Sequence, residues 1–81
     1  MPRYFYHLHN DIDSPDEEGR DFPNDRAALE AALVDIRSLA TETVALGHLN
    51  LAHFIVVVEE GGREVGMVRF GDAVKVEGVT A

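Results

Sequence analysis

Asn24 to Leu46, NDRAALEAALVDIRSLATETVAL, is the stretch on which the fold turns. Wound at about 100° per residue, it brings Leu29, Leu33, Ile36 and Ala40 close to one line. Ala28, Ala32, Leu39, Thr43, Val44 and Leu46 flank that line and widen it to an apolar arc of about 160°. Glu30, Arg37, Ser38, Thr41 and Glu42 fall on the opposite side. Both ends are punctuated. Asn24 is a good N-cap, and it follows Pro23, whose ring keeps Phe22 out of the helical region. Asp25 sets negative charge at the positive end of the helix dipole. Gly47 is placed for a left-handed C-cap. A helix with one apolar arc needs an apolar surface to cover, and the remaining chain reads as the sheet that supplies it.

N-terminal to the helix, Arg3 to His9 (RYFYHLH) alternates and is rich in aromatics. It reads as a first strand, with Tyr4, Tyr6 and Leu8 toward the helix and Arg3, Phe5, His7 and His9 away from it. Asn10 to Glu18 (NDIDSPDEE) is an acidic, turn-forming loop. Glu18 to Phe22 can form a short strand, and its glycine and charges place it at an edge.

C-terminal to the helix, His48 to Ala52 reads as a turn or a lead-in. Ala52 to Glu60 (AHFIVVVEE) is the strongest strand in the chain. Its consecutive valines make both faces apolar, which predicts a central strand. Gly61-Gly62 is a hairpin signal. Arg63 to Phe70 returns, but its phase changes. Val65 and Met67 share one face and Val68 and Phe70 the other, so a bulge is expected near Gly66 to Val68, or both faces are partly buried. Ala73 to Glu77 reads as a last short strand or an ordered tail, and Gly78 to Ala81 as a frayed end. The expected architecture is one α+β domain over residues 1–81. Its order is strand, short strand, helix, strand, strand, with a small, mostly antiparallel sheet and the helix across one face.

Composition limits the function. The 81 residues contain no cysteine, so disulfides and thiolate metal sites are excluded. No signal-peptide pattern opens the chain, and its longest apolar run, Phe54 to Val58, is far too short to span a membrane. A cytoplasmic protein is expected. Seven basic residues stand against fifteen acidic ones, a net charge of −8. The basic residues are scattered singly, which disfavours nucleic acid as a partner.

Candidate chemistry is sparse. His7 and His9, at i and i+2 of a strand, project to one face about 7 Å apart, a spacing that two imidazole ligands of a metal ion can use. Asp11 and Asp13 are the candidate carboxylates. The acidic loop fails as a calcium loop, because Asp16 stands where glycine is required and Phe22 where glutamate is. Ser14 and Ser38 have no histidine near them in sequence, and no glycine-rich phosphate loop is present. No catalytic residue and no cofactor is therefore assigned. The second apolar face of the sheet is the better candidate. Phe5, Phe54, Val56, Val58, Val68 and Phe70 are the residues expected to remain on it, and a contiguous patch of that kind marks an interface.

These features resemble a family of short bacterial proteins known as a domain of unknown function. Its members open with a Met-Pro-Arg-Tyr-Phe-Phe-His-like segment, continue through an acidic turn ending in Leu-Pro-Asp, and follow with an alanine-rich helix and a hairpin. The matching pieces here are Met1 to His7, Glu17 to Pro23, Ala27 to Arg37 and Gly62 to Val74. Tyr6 stands where phenylalanine is commoner, and Phe22-Pro23-Asn24 replaces Leu-Pro-Asp. The resemblance implies no activity, cofactor or catalytic residue. The function expected is protein interaction or regulation, with self-association as a homodimer through the second face. A small metal-binding protein or enzyme using His7 and His9 is the alternative, and an antitoxin-like operon partner a further one.

Overall fold

The computed structural model describes residues 2–9, 13–75 and 77–78, with the Asp13 side chain left out. The order is β1 (Arg3–His9), β2 (Asp13–Ser14), β3 (Arg20–Asp21), α1 (Asp25–Ala45), β4 (Phe54–Glu59), β5 (Glu64–Arg69) and α2 (Phe70–Ala73). Every pairing is antiparallel, in the spatial order β2-β1-β4-β5, with β3 pairing the other end of β1. The molecule is thus an α+β domain, one long helix laid on one face of a small sheet. Val79 to Ala81, expected as a frayed end, lie outside the described residues.

Helix α1 is closed at both ends as its sequence predicts. Asn24 is the N-cap, and its Oδ1 accepts the Ala27 N–H at 2.9 Å. At the C-terminus Gly47 takes φ 82°. Its N–H donates to the Val44 carbonyl, and the His48 N–H to the Thr43 carbonyl. This pair of bonds is the Schellman arrangement, which satisfies carbonyls that the helix leaves open. The buried residues of α1 are Ala28, Ala32, Ile36 and Ala40, spaced i, i+4. The expected centre line is therefore displaced. Leu29 and Leu33 pack at the margin and are only partly buried. Three alanines on the contact ridge bring the helix axis close to the sheet, and the leucines reach around its sides. Gly66 accommodates this approach, since a Cβ there would stand 3.0 Å from Cδ2 of Leu29.

Strand β4 lies centrally, between β1 and β5, as its two apolar faces predict. Ile55 and Val57 face the helix and are buried. A register shift lies between Val57, paired with Gly66, and Val58, paired with Glu64. Val65 is thus the extra residue of a bulge, and the phase change seen in the sequence has this cause. The bulge corrects one expectation. Val68, placed on the second face by the sequence, pairs with Ile55 on the helix side and is buried. Phe70 is corrected too. The strand ends at Arg69, whose N–H donates to the Asp72 carboxylate. The chain then turns through α2 and drives Phe70 into the core, 1% exposed. Ala73, expected to begin a last short strand or an ordered tail, ends α2 and is also buried.

Candidate functional site

The sheet face away from α1 carries three cross-strand rows. Phe5, Val58 and Glu64 form one, His7, Val56 and Met67 the next, and His9, Phe54 and Arg69 the third. Residues paired across antiparallel strands point to the same side, so these rows form one continuous patch. Four of the six residues expected there are present: Phe5, Phe54, Val56 and Val58, all partly exposed. Met67 joins them at 41% exposure. The His9 ring stacks on Phe54 with centroids 4.8 Å apart, and Phe5 and His7 lie parallel at 6.5 Å. Glu64, Met67 and Arg69 were missed by the sequence reading, because the bulge that sets their phase leaves only an ambiguous alternation. The pairing of Phe54 with Arg69 and of Val58 with Glu64 puts opposite charges at the two ends of the β5 column. Among the described residues neither Glu64 nor Arg69 has an ion-pair partner.

His7 and His9 share this face, as their i, i+2 spacing requires. Strand β2 brings Asp13 opposite His9 and Ser14 opposite Leu8. Asp11 lies outside the described residues. A groove of about 360 Å³ runs past His7, Leu8, His9, Ser14, Pro15 and Val56. Nδ1 of His7 accepts the Asp16 N–H at 3.0 Å, so the neutral ring keeps its proton on Nε2. Ligating a metal through Nε2 would require moving that proton and giving up the Asp16 bond. Among the described residues no three histidine or carboxylate side chains gather to hold a metal ion.

The acidic loop has a structural task that its composition hides. Between the stubs β2 and β3, the Asp16 carboxylate takes the place of a strand along the edge of β1. It accepts the Tyr6 N–H at 3.1 Å, the Glu18 N–H at 3.1 Å and the Gly19 N–H at 3.2 Å. Partial burial raises the Asp16 pKa, but these three N–H donors and the nearby His7 outweigh it and hold the carboxyl below the usual carboxylate value. Gly19 must turn there with φ 71°, and a Cβ would meet Arg3 Cγ, Phe5 Cε1 and Tyr4 O, each at 2.9 Å. An Asp followed two and three residues later by Glu and Gly is the signal that could have disclosed this turn.

On the helix side Tyr4, Tyr6, Asp25 and Arg63 tie the helix to the sheet. Tyr4 is buried at 1% exposure and donates to Asp25 at 2.8 Å. Asp25 also receives both Arg63 amino groups at 3.0 Å, and Arg63 reaches Glu59 at 2.8 Å. Burial first, then the bond to Asp25, pushes the Tyr4 phenol up to about 12. Tyr6 donates to the Ala28 carbonyl of α1, and Arg20 lies over its ring while pairing with Asp35.

This geometry supplies a framework and a face. Residues 3–71 match the family described as a domain of unknown function, DUF6894. The chain belongs to that family. The matched span runs from β1 into α2 and takes in the whole bare face, the Asp16 loop and the helix. No curated protein and no solved structure matches the chain.

Proposed function

We propose that this chain is a small protein-interaction domain that self-associates as a homodimer through the bare face of its sheet. The charge pattern of that face carries the reading. On a molecule of net charge −8, the three rows hold one glutamate and one arginine and are otherwise apolar or imidazole. A two-fold axis laid along the central row, His7–Val56–Met67, sets Glu64 of one copy over Arg69 of the other, twice. It also sets Phe5 over His9 and Val58 over Phe54. Glu64 and Arg69, which have no ion-pair partner among the described residues, would thus become each other's partners between chains. Isologous pairing of this kind is the commonest route to a closed oligomer.

The face is small. Three strands about 4.8 Å apart and five residues long give a footprint of roughly 250 Å². A standard interface occupies about 800 Å² per partner, so the association is weak and reversible, in the micromolar range or above. Light scattering over a dilution series tests it. A mass that rises with concentration is expected, together with a monomer for Phe54→Asp. Glu64→Arg and Arg69→Glu should each weaken the dimer, and the double exchange should restore it. A monomer mass at every concentration, or a dimer indifferent to all of these changes, would refute the reading.

A further inference from the structure

On the helix side, remote from the bare face, a second hollow lies between the C-terminal half of α1 and the α2 turn. It measures about 430 Å³ and is shallow, with much of it open to solvent. Its floor is Ala40 and Ala73, both buried, and the hollow exists because these facing positions carry only methyl groups. Leu49, Val74 and Val44 form its walls, Val44 being 56% exposed. The rim carries Arg37. Its Nε donates to the Ala73 carbonyl at 2.8 Å, which fixes the plane of the guanidinium at the mouth and leaves the amino groups available. Arg3, Arg20, Arg26 and Arg63 each reach a carboxylate. Arg37, in a chain with fifteen acids, reaches none among the described residues.

We infer that this hollow binds an aliphatic monocarboxylate of medium chain length, with the hydrocarbon along Ala40, Val44 and Leu49 and the carboxylate on Arg37. The volume lies within the range of small-molecule sites, about 300–1,000 Å³, and the lining has their character, apolar with few polar groups. A guanidinium already oriented by its own Nε bond presents its amino groups to a carboxylate in the planar geometry that suits it best. The net charge of −8 disfavours anionic ligands in general, so a cation beside an apolar hollow selects both features of the ligand at once.

Decanoate, kept below the concentration at which it forms micelles, is the probe, and the amide resonances of Thr41, Val44, Leu49 and Val74 are the readout. Saturable shifts confined to these residues are expected, with octanoate weaker by roughly fourfold for each methylene removed. Arg37→Gln should weaken decanoate about tenfold, the scale of a partly exposed charge-assisted bond. It should leave decanol, a neutral ligand of the same length, unchanged. Val44→Asp, at an exposed position that does not threaten folding, should abolish both. Absence of saturable shifts overturns the inference, as does decanoate binding that is equal to that of decanol or indifferent to Arg37→Gln. Shifts centred on Phe54 and Val56 would equally overturn it by moving the ligand to the bare face.

Discussion

His7 and Asp16 are joined through the Asp16 main chain, whose N–H donates to Nδ1 of His7 at 3.0 Å, while the Asp16 carboxylate holds the Tyr6 N–H one residue along the strand. A side chain on the loop and a ring on the strand thus lock the loop to β1 from both directions. Asp16→Ala would leave the Tyr6 and Gly19 N–H groups without their acceptor, at a cost of about 1–3 kcal/mol. Because the folded pKa of Asp16 is depressed, its contribution is present above about pH 4 and is lost as the pH falls through the folded value. Urea midpoints at pH 7 and pH 3 should therefore differ less for Asp16→Ala than for the parent. An equal difference would show that the carboxylate is not the element being titrated.

Alkali tests the other side of the sheet. The Tyr4 phenol is pushed up to about 12, and Tyr6 is raised as well, by burial foremost in each case. A raised folded pKa means that the stability linked to the neutral phenol is complete below about pH 10 and declines as the pH rises toward 12. The chain has two tyrosines and no tryptophan, so tyrosinate absorbance reads them without interference. Ionisation should lag behind that of the urea-unfolded chain and coincide with loss of helix signal. Both phenols titrating near 10 in a chain with intact circular dichroism would contradict their burial.

Ile36 is fully buried on α1 and Leu33 only partly. Ile36→Ala should cost about 2–5 kcal/mol and Leu33→Ala distinctly less. Ala32→Leu should also destabilise, by about 1–3 kcal/mol, because it inserts bulk where the helix rests on the sheet. Chemical unfolding of the three variants gives the order. A larger loss at Leu33 than at Ile36 would mean that the helix is rotated toward its leucines.

Gly19→Ala combines a positive φ with contacts of 2.9 Å to a carbonyl and two side-chain carbons. It should cost more than the roughly 1–2 kcal/mol expected for a left-handed non-glycine residue alone, and it should loosen the Asp16 loop. Hydrogen exchange at the Tyr6 amide reads this directly. Unchanged protection there, with unchanged stability, would show that the loop adapts to the extra methyl.

The helix limits, the central place of β4 and the alternation of β1 were all legible, because each rests on a short-range rule: a capping asparagine, a doubly apolar strand, a period of two. What stayed hidden came from longer range. The alanines took the contact ridge from the leucines because distance to the sheet, rather than side-chain size, decides which helical residue is covered. Val68 and Phe70 moved inward because the bulge lies at Val65, ahead of the expected Gly66 to Val68, and a carboxylate on the Arg69 N–H ends β5; the alternation marks a change of phase but not where it falls. For the candidate site, the aromatic and valine positions of β1 and β4 could be read. The Glu64 and Arg69 charges that distinguish one end of the face from the other could not.

The stand-in strand formed by Asp16 has one more consequence, for stoichiometry. Along β1 the outer edge is occupied by two stubs and a carboxylate, whereas β5 is an edge strand bent by the bulge in its pairing with β4, with Asp72 on its Arg69 N–H. An edge filled by a carboxylate and an edge bent by a bulge are both poor templates for recruiting strands from a neighbour, and helix α1 already covers one of the two surfaces of the sheet. Any sheet-to-sheet association is thereby confined to a single remaining surface and is exhausted once two copies meet. If copies associate as proposed, carboxylates that also make the chain acidic would thus favour a closed pair over a filament.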